Sequence, residues 1–162
     1  MINIILKILA FFWPLRPVFA HCDIPCGIYD PHTAQLAAHT VLRMTQLIMT
    51  SKVNNTQQSI HDISRFTKVK EEHAELVKHE IRVLWGDYFK EEHLKEYPHL
   101  HDLVFKTLKL ASKARQEINE DVAKDLLLHV QQIAEIFYKT KGLKPYRVAS
   151  YYPTGLEIVQ YK

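Results

Sequence analysis

Apolar residues recur at helical spacing through most of the chain. After Pro31, Leu36, Val41, Met44, Leu47 and Ile48 mark a first stripe that ends at Asn54-Asn55. A second stripe, Ile60, Ile63, Phe66, Val69, Leu76, Val77, Ile81 and Leu84, runs out near Gly86. A third follows Tyr97-Pro98 through Leu100, Leu103, Val104, Leu108 and Ala111. A fourth, with Asn119 placed to cap it, carries Val122, Leu126, Val130, Ile133, Ile136 and Phe137 and stops at Gly142. Four amphipathic segments joined by short polar breaks predict an all-α fold, an up-down-up-down four-helix bundle over residues 31–141.

The two ends depart from this pattern. Residues 1–20 hold an apolar run from Ile4 to Leu15 broken by Lys7, then Arg16, Pro17 and a small-residue exit at Ala20, the form of a cleaved leader. The run is too short and too interrupted for a comfortable membrane span, so no stable span is expected in the mature form. At the other end, residues 142–162 form an extension rich in tyrosine and proline, expected either to lie over a neighbouring subunit or to be an ordinary mobile terminus.

Charge excludes one class of partner. Without Lys7 and Arg16, the 21 basic residues become 19 against 18 acidic, and no arginine cluster marks a nucleic-acid surface. Ten histidines raise the question of a di-iron site, but the only Glu-x-x-His match, Glu96 to His99, has Pro98 inside it. Most histidines, including His39, His93 and His129, are therefore expected at the surface or the core edge.

The two cysteines, Cys22 and Cys26, are too few for a disulfide framework, so their role is local. Cleavage after Ala20 would make His21 the first residue and place Cys22 directly behind it. An α-amine, an imidazole, a backbone amide and two thiols then fall within six residues, with Pro25 and Gly27 to bend the chain. Nitrogen and sulfur donors in this order suit a square-planar ion, Ni(II) or Cu(II), better than tetrahedral zinc. Three readings stand open on these residues: a metal hook that catalyses, an exported nickel- or copper-binding carrier or sensor without catalysis, and a thiol-disulfide pair.

The run His21-Cys22-Asp23-Ile24-Pro25-Cys26-Gly27-Ile28-Tyr29-Asp30-Pro31 resembles the HCxxPCGxYDP hook of the nickel superoxide dismutases. The likeness extends through Leu84-Trp85-Gly86-Asp87-Tyr88-Phe89-Lys90, His93, Tyr97-Pro98, Leu100-His101 and Thr107-Leu108-Lys109, covering about residues 21–141. The resemblance implies an enzyme that converts two superoxide radicals to dioxygen and hydrogen peroxide by Ni(II)/Ni(III) cycling, with one nickel per subunit. It implies that His21, Cys22 and Cys26 are the metal ligands, that Tyr29 and Asp23 act beside the metal, and that Pro25 and Gly27 shape the hook, residues 21–30. It further implies a homohexamer, a leader-processing peptidase as partner, and a cytoplasmic location, with export the alternative that the leader suggests.

One departure accompanies the resemblance. Where the family can support its axial histidine with a glutamate on the first helix and an arginine on the second, this chain has Ala37 and His73. Support for His21 would then fall to His73 alone or to His73 with His39 or Glu72 nearby, since partners of this kind orient a ligand and tune its metal.

Overall fold

The structure, a computed structural model, describes residues 27–52, 54 and 56–162. The leader and the hook residues His21, Cys22, Asp23, Pro25 and Cys26 lie outside the described residues. Five α-helices account for most of the rest: α1 (His32–Thr50), α2 (Gln57–Val83), α3 (Glu91–Glu96), α4 (Leu100–Gln116) and α5 (Glu120–Thr140). A π-helical turn, Leu84–Tyr88, follows α2, and an antiparallel hairpin of β1 (Pro145–Ala149) and β2 (Glu157–Tyr161) ends the chain. The fold is thus mostly helical, and the all-α expectation is corrected by this small sheet. Among the described residues no helix is long and apolar enough to cross a membrane.

The four long helices pack in neighbouring pairs, α1 on α2, α2 on α4, α4 on α5 and α5 on α1. Their shared core holds Val41, Leu42, Val77, Ile81, Leu100, Leu126, Val130 and Ile133, all fully buried. Ala34, Ala38 and Ala74, each 0% exposed, give the core small contact points that bring helix backbones close. Two expected core positions face outward instead: Leu36 is 38% and Ile60 56% exposed. The buried face of α1 is turned so that Gln35, His39 and Thr45 lie inside.

Local chemistry sets the helix ends. Thr56 Oγ1 accepts the Ser59 amide at 3.2 Å to start α2, and Asn119 Oδ1 accepts the Val122 amide at 3.1 Å to start α5. At the end of α5, Gly142 takes φ +73°, while the Leu143 amide reaches back to the Tyr138 carbonyl at 3.0 Å and the Gly142 amide to Lys139 at 2.9 Å. This reversal needs a residue free to turn left-handed, and it aims the chain into β1. Lys70, 2% exposed, donates from Nζ to the carbonyls of Ala114, Arg115 and Glu117 and so closes the C-terminal end of α4.

The extension is neither an extended arm nor a loose end. Its strands pair Arg147 with Val159 and Ala149 with Glu157, and Ile158 and Val159 are buried against the helices. Gln35 bonds both backbone atoms of Val159, donating from Nε2 to the carbonyl at 3.1 Å and accepting the amide on Oε1 at 2.8 Å. Gln131 donates to the Glu157 carbonyl, and Arg147 bonds Glu135 at 2.7 Å. The outer edge of β2, which would otherwise present unpaired groups, is read by side chains from α1 and α5.

Candidate metal centre

The described part of the site is the root of the hook. Gly27 has φ +71° and open space where a side chain would start, so the chain turns left-handed directly after Cys26. Ile28 is 78% exposed. Tyr29 is half-buried and packs its ring on Tyr88 at 5.6 Å between centroids. Asp30 then fixes the start of α1: its Oδ1 accepts the His32 amide at 2.7 Å, and the Pro31 carbonyl accepts the Gln35 amide at 3.1 Å.

Tyr88 is the centre of the surface that receives Tyr29. The π-helical turn ends with the Phe89 amide bonded to the Leu84 carbonyl at 2.9 Å, five residues back, and this extra residue re-aims Tyr88 toward α5. Its hydroxyl shares a 2.7 Å hydrogen bond with Thr140 Oγ1, and its ring meets Phe137 at 4.5 Å and stacks on His93 at 5.6 Å. The Lys141 ammonium lies 5.1 Å from the Tyr88 ring centroid and 5.5 Å from that of Phe137. Lys141 is thus held over aromatic faces beside the hook root.

The second cluster at the root is Tyr138. It is 3% exposed, its ring meets that of Tyr161 of β2 at 4.7 Å in a tilted contact, and it lines one shallow recess with Asp30. Burial, and then the negative charge of Asp30, push its phenol well above the ordinary value, so it stays a donor at any physiological pH.

Of the residues weighed as support for His21, the structure brings Ala37 and His73 into one groove between α1 and α2. Its volume is about 540 Å³, and Leu36, Leu76, Tyr152 and Thr154 also line it. His73 is half-buried and bonds the Val69 carbonyl at 2.8 Å through Nδ1, which fixes the proton there and leaves Nε2 as the acceptor of the neutral ring. His39 is not at the surface or core edge, as expected from sequence, but 3% exposed. Both its nitrogens are engaged by the hairpin, Nε2 with the Glu157 carbonyl at 3.0 Å and Nδ1 with Thr154 Oγ1 at 2.9 Å. Glu72 is exposed and pairs with Lys68 at 3.7 Å.

Sequence reasoning missed Tyr88, Phe137, Tyr138 and Lys141 as parts of this site. The dense aromatic run at Trp85–Phe89 was a usable signal for Tyr88, whereas Phe137 and Tyr138 read only as core of the fourth stripe.

Among the described residues no group of three or more His, Cys, Asp or Glu could hold a metal ion. Thiolate ligation can come only from Cys22 and Cys26, the chain's two cysteines, and that donor set fits nickel: thiolates and amine or amide nitrogens make its higher oxidation state reachable. A mostly helical fold with both cysteines ahead of the first helix points to the class of helical redox metalloproteins.

Comparison with known proteins gives the family. The nickel-containing superoxide dismutase family matches residues 16–141. Superoxide dismutase [Ni] of Streptomyces coelicolor is 41% identical over 130 residues, 80% of this chain and 95% of that protein, and its counterpart in Streptomyces seoulensis is 38% identical over the same shares. A native nickel superoxide dismutase structure superposes with a TM-score of 0.67 at 40% identity, covering 75% of this chain and 99% of that one. A structure of the enzyme in its oxidized state gives 0.67 at 38% identity. The chain belongs to the nickel-containing superoxide dismutase family.

Proposed function

We propose that the chain dismutes superoxide at a hook freed by removal of residues 1–20. The α-amine and imidazole of His21, the amide nitrogen and thiolate of Cys22 and the thiolate of Cys26 would hold one nickel ion per subunit. Bound there, nickel supplies a one-electron Ni(II)/Ni(III) couple, by which one superoxide is oxidised to dioxygen and a second, with two protons, is reduced to hydrogen peroxide.

The chain's own residues do the rest. Cleavage after Ala20 exposes the amine that the ligand set requires, so the uncut chain lacks a ligand. Gly27 turns the segment back beside Cys26, and Pro25 and Asp23 hold the loop. Tyr29, seated on Tyr88, carries its hydroxyl beside the metal, where it positions the small anion or an ordered water. Lys141 raises the local concentration of that anion. Thiolates near peroxide are open to oxidation, so the loop also limits access. His73, lining the groove with Ala37, takes over the support of the His21 ring, its Nε2 accepting from that ring.

At the level of architecture, the helices run up-down-up-down over residues 31–141, with residues 21–30 as hook and 142–162 as extension, and the subunits assemble as a homohexamer. The cut needs a processing peptidase, whether it accompanies export or only maturation in the cytoplasm.

The observation that carries this reading is the family match across residues 16–141, which spans the hook's only cysteines. The test is intact mass, nickel content and superoxide removal on one sample purified with its peptidase, beside an uncut control. The expected result is a chain beginning at His21 that holds one nickel and is active, while the uncut chain does neither. Equal activity in the uncut chain would overturn the hook mechanism, and nickel without activity in the cut chain would leave a carrier.

A further inference from the structure

The groove between α1 and α2 has a volume of about 540 Å³, within the roughly 300–1,000 Å³ that small-molecule sites occupy. On α1 its lining runs from Thr33 to Met44, about 16 Å along the helix axis, so it is a channel rather than a round pocket. Leu36, Met44 and Leu76 give it apolar sides, and Tyr152 and Pro153 of the hairpin loop form a further wall. That wall comes from the extension, past residue 141 where the family match ends. The loop is held firmly: the Tyr152 ring stands edge-on to buried His39 at 5.1 Å, and Thr154 Oγ1 is bonded to the same ring at 2.9 Å.

One charge stands in this groove without a counterpart. Arg43 is half-buried, and no Asp or Glu shares the lining with it. Among the described residues its guanidinium has no hydrogen bond or ion pair. It lies seven residues before the end of α1, outside the last turn whose free carbonyls would favour a cation. A cation that has lost part of its water without gaining a partner favours an anion that reaches it, and a guanidinium takes a carboxylate through two parallel bonds. We propose that the groove binds an acyl carboxylate, its head on Arg43 and its chain along Leu36 and Leu76 beneath Tyr152 and Pro153. Arg43 is at the Met44 end of the lining, so the chain runs from it toward Leu36 and His73. The binding does not rest on the function proposed above; only its bearing on the metal does, through His73 as the support of His21.

The test titrates octanoate into the mature chain by calorimetry, beside octanol, which has the same chain without charge, and octylamine, which has the opposite charge. Octanoate should bind about tenfold more tightly than octanol, the scale of one charge-assisted bond, and octylamine no more tightly than octanol. Arg43→Gln should remove that tenfold preference and keep the octanol affinity. Leu36→Asp, at an exposed position, should weaken both ligands, and thermal unfolding checks that each variant is folded. The ring nitrogens of His73 should shift in nuclear magnetic resonance spectra as octanoate is added, while those of exposed His61 stay in place. Equal affinity for octanoate and octanol in wild type overturns the proposal, as does a preference that survives Arg43→Gln. Absence of any binding overturns it too, and leaves the groove to another copy of the chain.

Discussion

Two short segments hang on the same four-helix frame and are held in different ways. The hairpin is seated by directional bonds from buried side chains: Gln35 and His39 on α1 and Gln131 on α5 each meet a backbone atom of β2, and Ile158 and Val159 fill the space beneath. The hook root is seated by ring faces and one carboxylate, with Gly27, Ile28 and Asp30 exposed and only Tyr29 half-buried. Hydrogen bonds to a strand edge fix register, because a slip of one residue breaks them all, whereas tilted ring contacts tolerate rotation at little cost. The hairpin is thus held by directional bonds to both α1 and α5, and the hook root by a tilted ring contact and the hold of Asp30 on the first amide of α1.

The sharpest way to break this contrast is Gln35→Ala. The change leaves the amide and carbonyl of Val159 buried without partners and opens a small cavity, at about 1–3 kcal/mol per orphaned group before relaxation, so a net loss of about 2–4 kcal/mol is expected. For a chain of this size that lowers Tm by roughly 5–15 °C, read by thermal unfolding followed by circular dichroism. A fall of less than about 2 °C would mean that the hairpin is held by its apolar residues alone, since surface-like changes stay within about 0.5 kcal/mol.

Tyr29→Ala should cost less, about 1–2 kcal/mol, because a half-buried ring surrenders only part of its transfer free energy and one aromatic contact with Tyr88. The same unfolding experiment checks it, and the contrast depends on the ranking. If Tyr29→Ala lowers Tm more than Gln35→Ala, the root is the better anchored segment and the picture reverses.

The sequence made the helices legible because period, caps and stops agreed: Asn119 caps α5 and Gly142 ends it where the pattern says they should. The family was legible because its signature is local, an eleven-residue run from His21 to Pro31 within the matched region. What stayed hidden depends on contacts distant in sequence. Gln35 and Gln131 read as ordinary polar positions on amphipathic helices until β2, over a hundred residues beyond Gln35, supplies their partners. Lys70 likewise reads as a solvated charge until the end of α4 arrives at its ammonium. Among the site residues, Tyr88 owes its direction to a π-helical turn that no periodicity of 3.6 would mark, and Ala37 and His73 became neighbours only through the packing of α1 on α2.

The smallest expected effect concerns pH at the hairpin seat. The Glu157 carbonyl can only accept, so His39 Nε2 carries the proton, and Nδ1 of the neutral ring accepts from the Thr154 hydroxyl. Burial lowers the pKa of His39 below its ordinary 6.5, and the bond to Glu157 offsets this only in part. The unfolded chain therefore takes up a proton near pH 6.5 while the folded chain still refuses it. Stability linked to His39 is complete above that pH and drains away as the pH falls through 6.5 toward the lowered folded value, at about 1.4 kcal/mol for each unit between the two. His39→Gln keeps a side chain that can donate to Glu157 but does not titrate. Its Tm should lie below that of wild type at pH 7.5, and the gap should narrow as the pH is lowered to 5, with the exposed histidines cancelling in the subtraction. A gap that is constant across this range would mean that the hairpin opens enough at low pH to hydrate the ring, which would make the hairpin looser than its bonds to Gln35 imply.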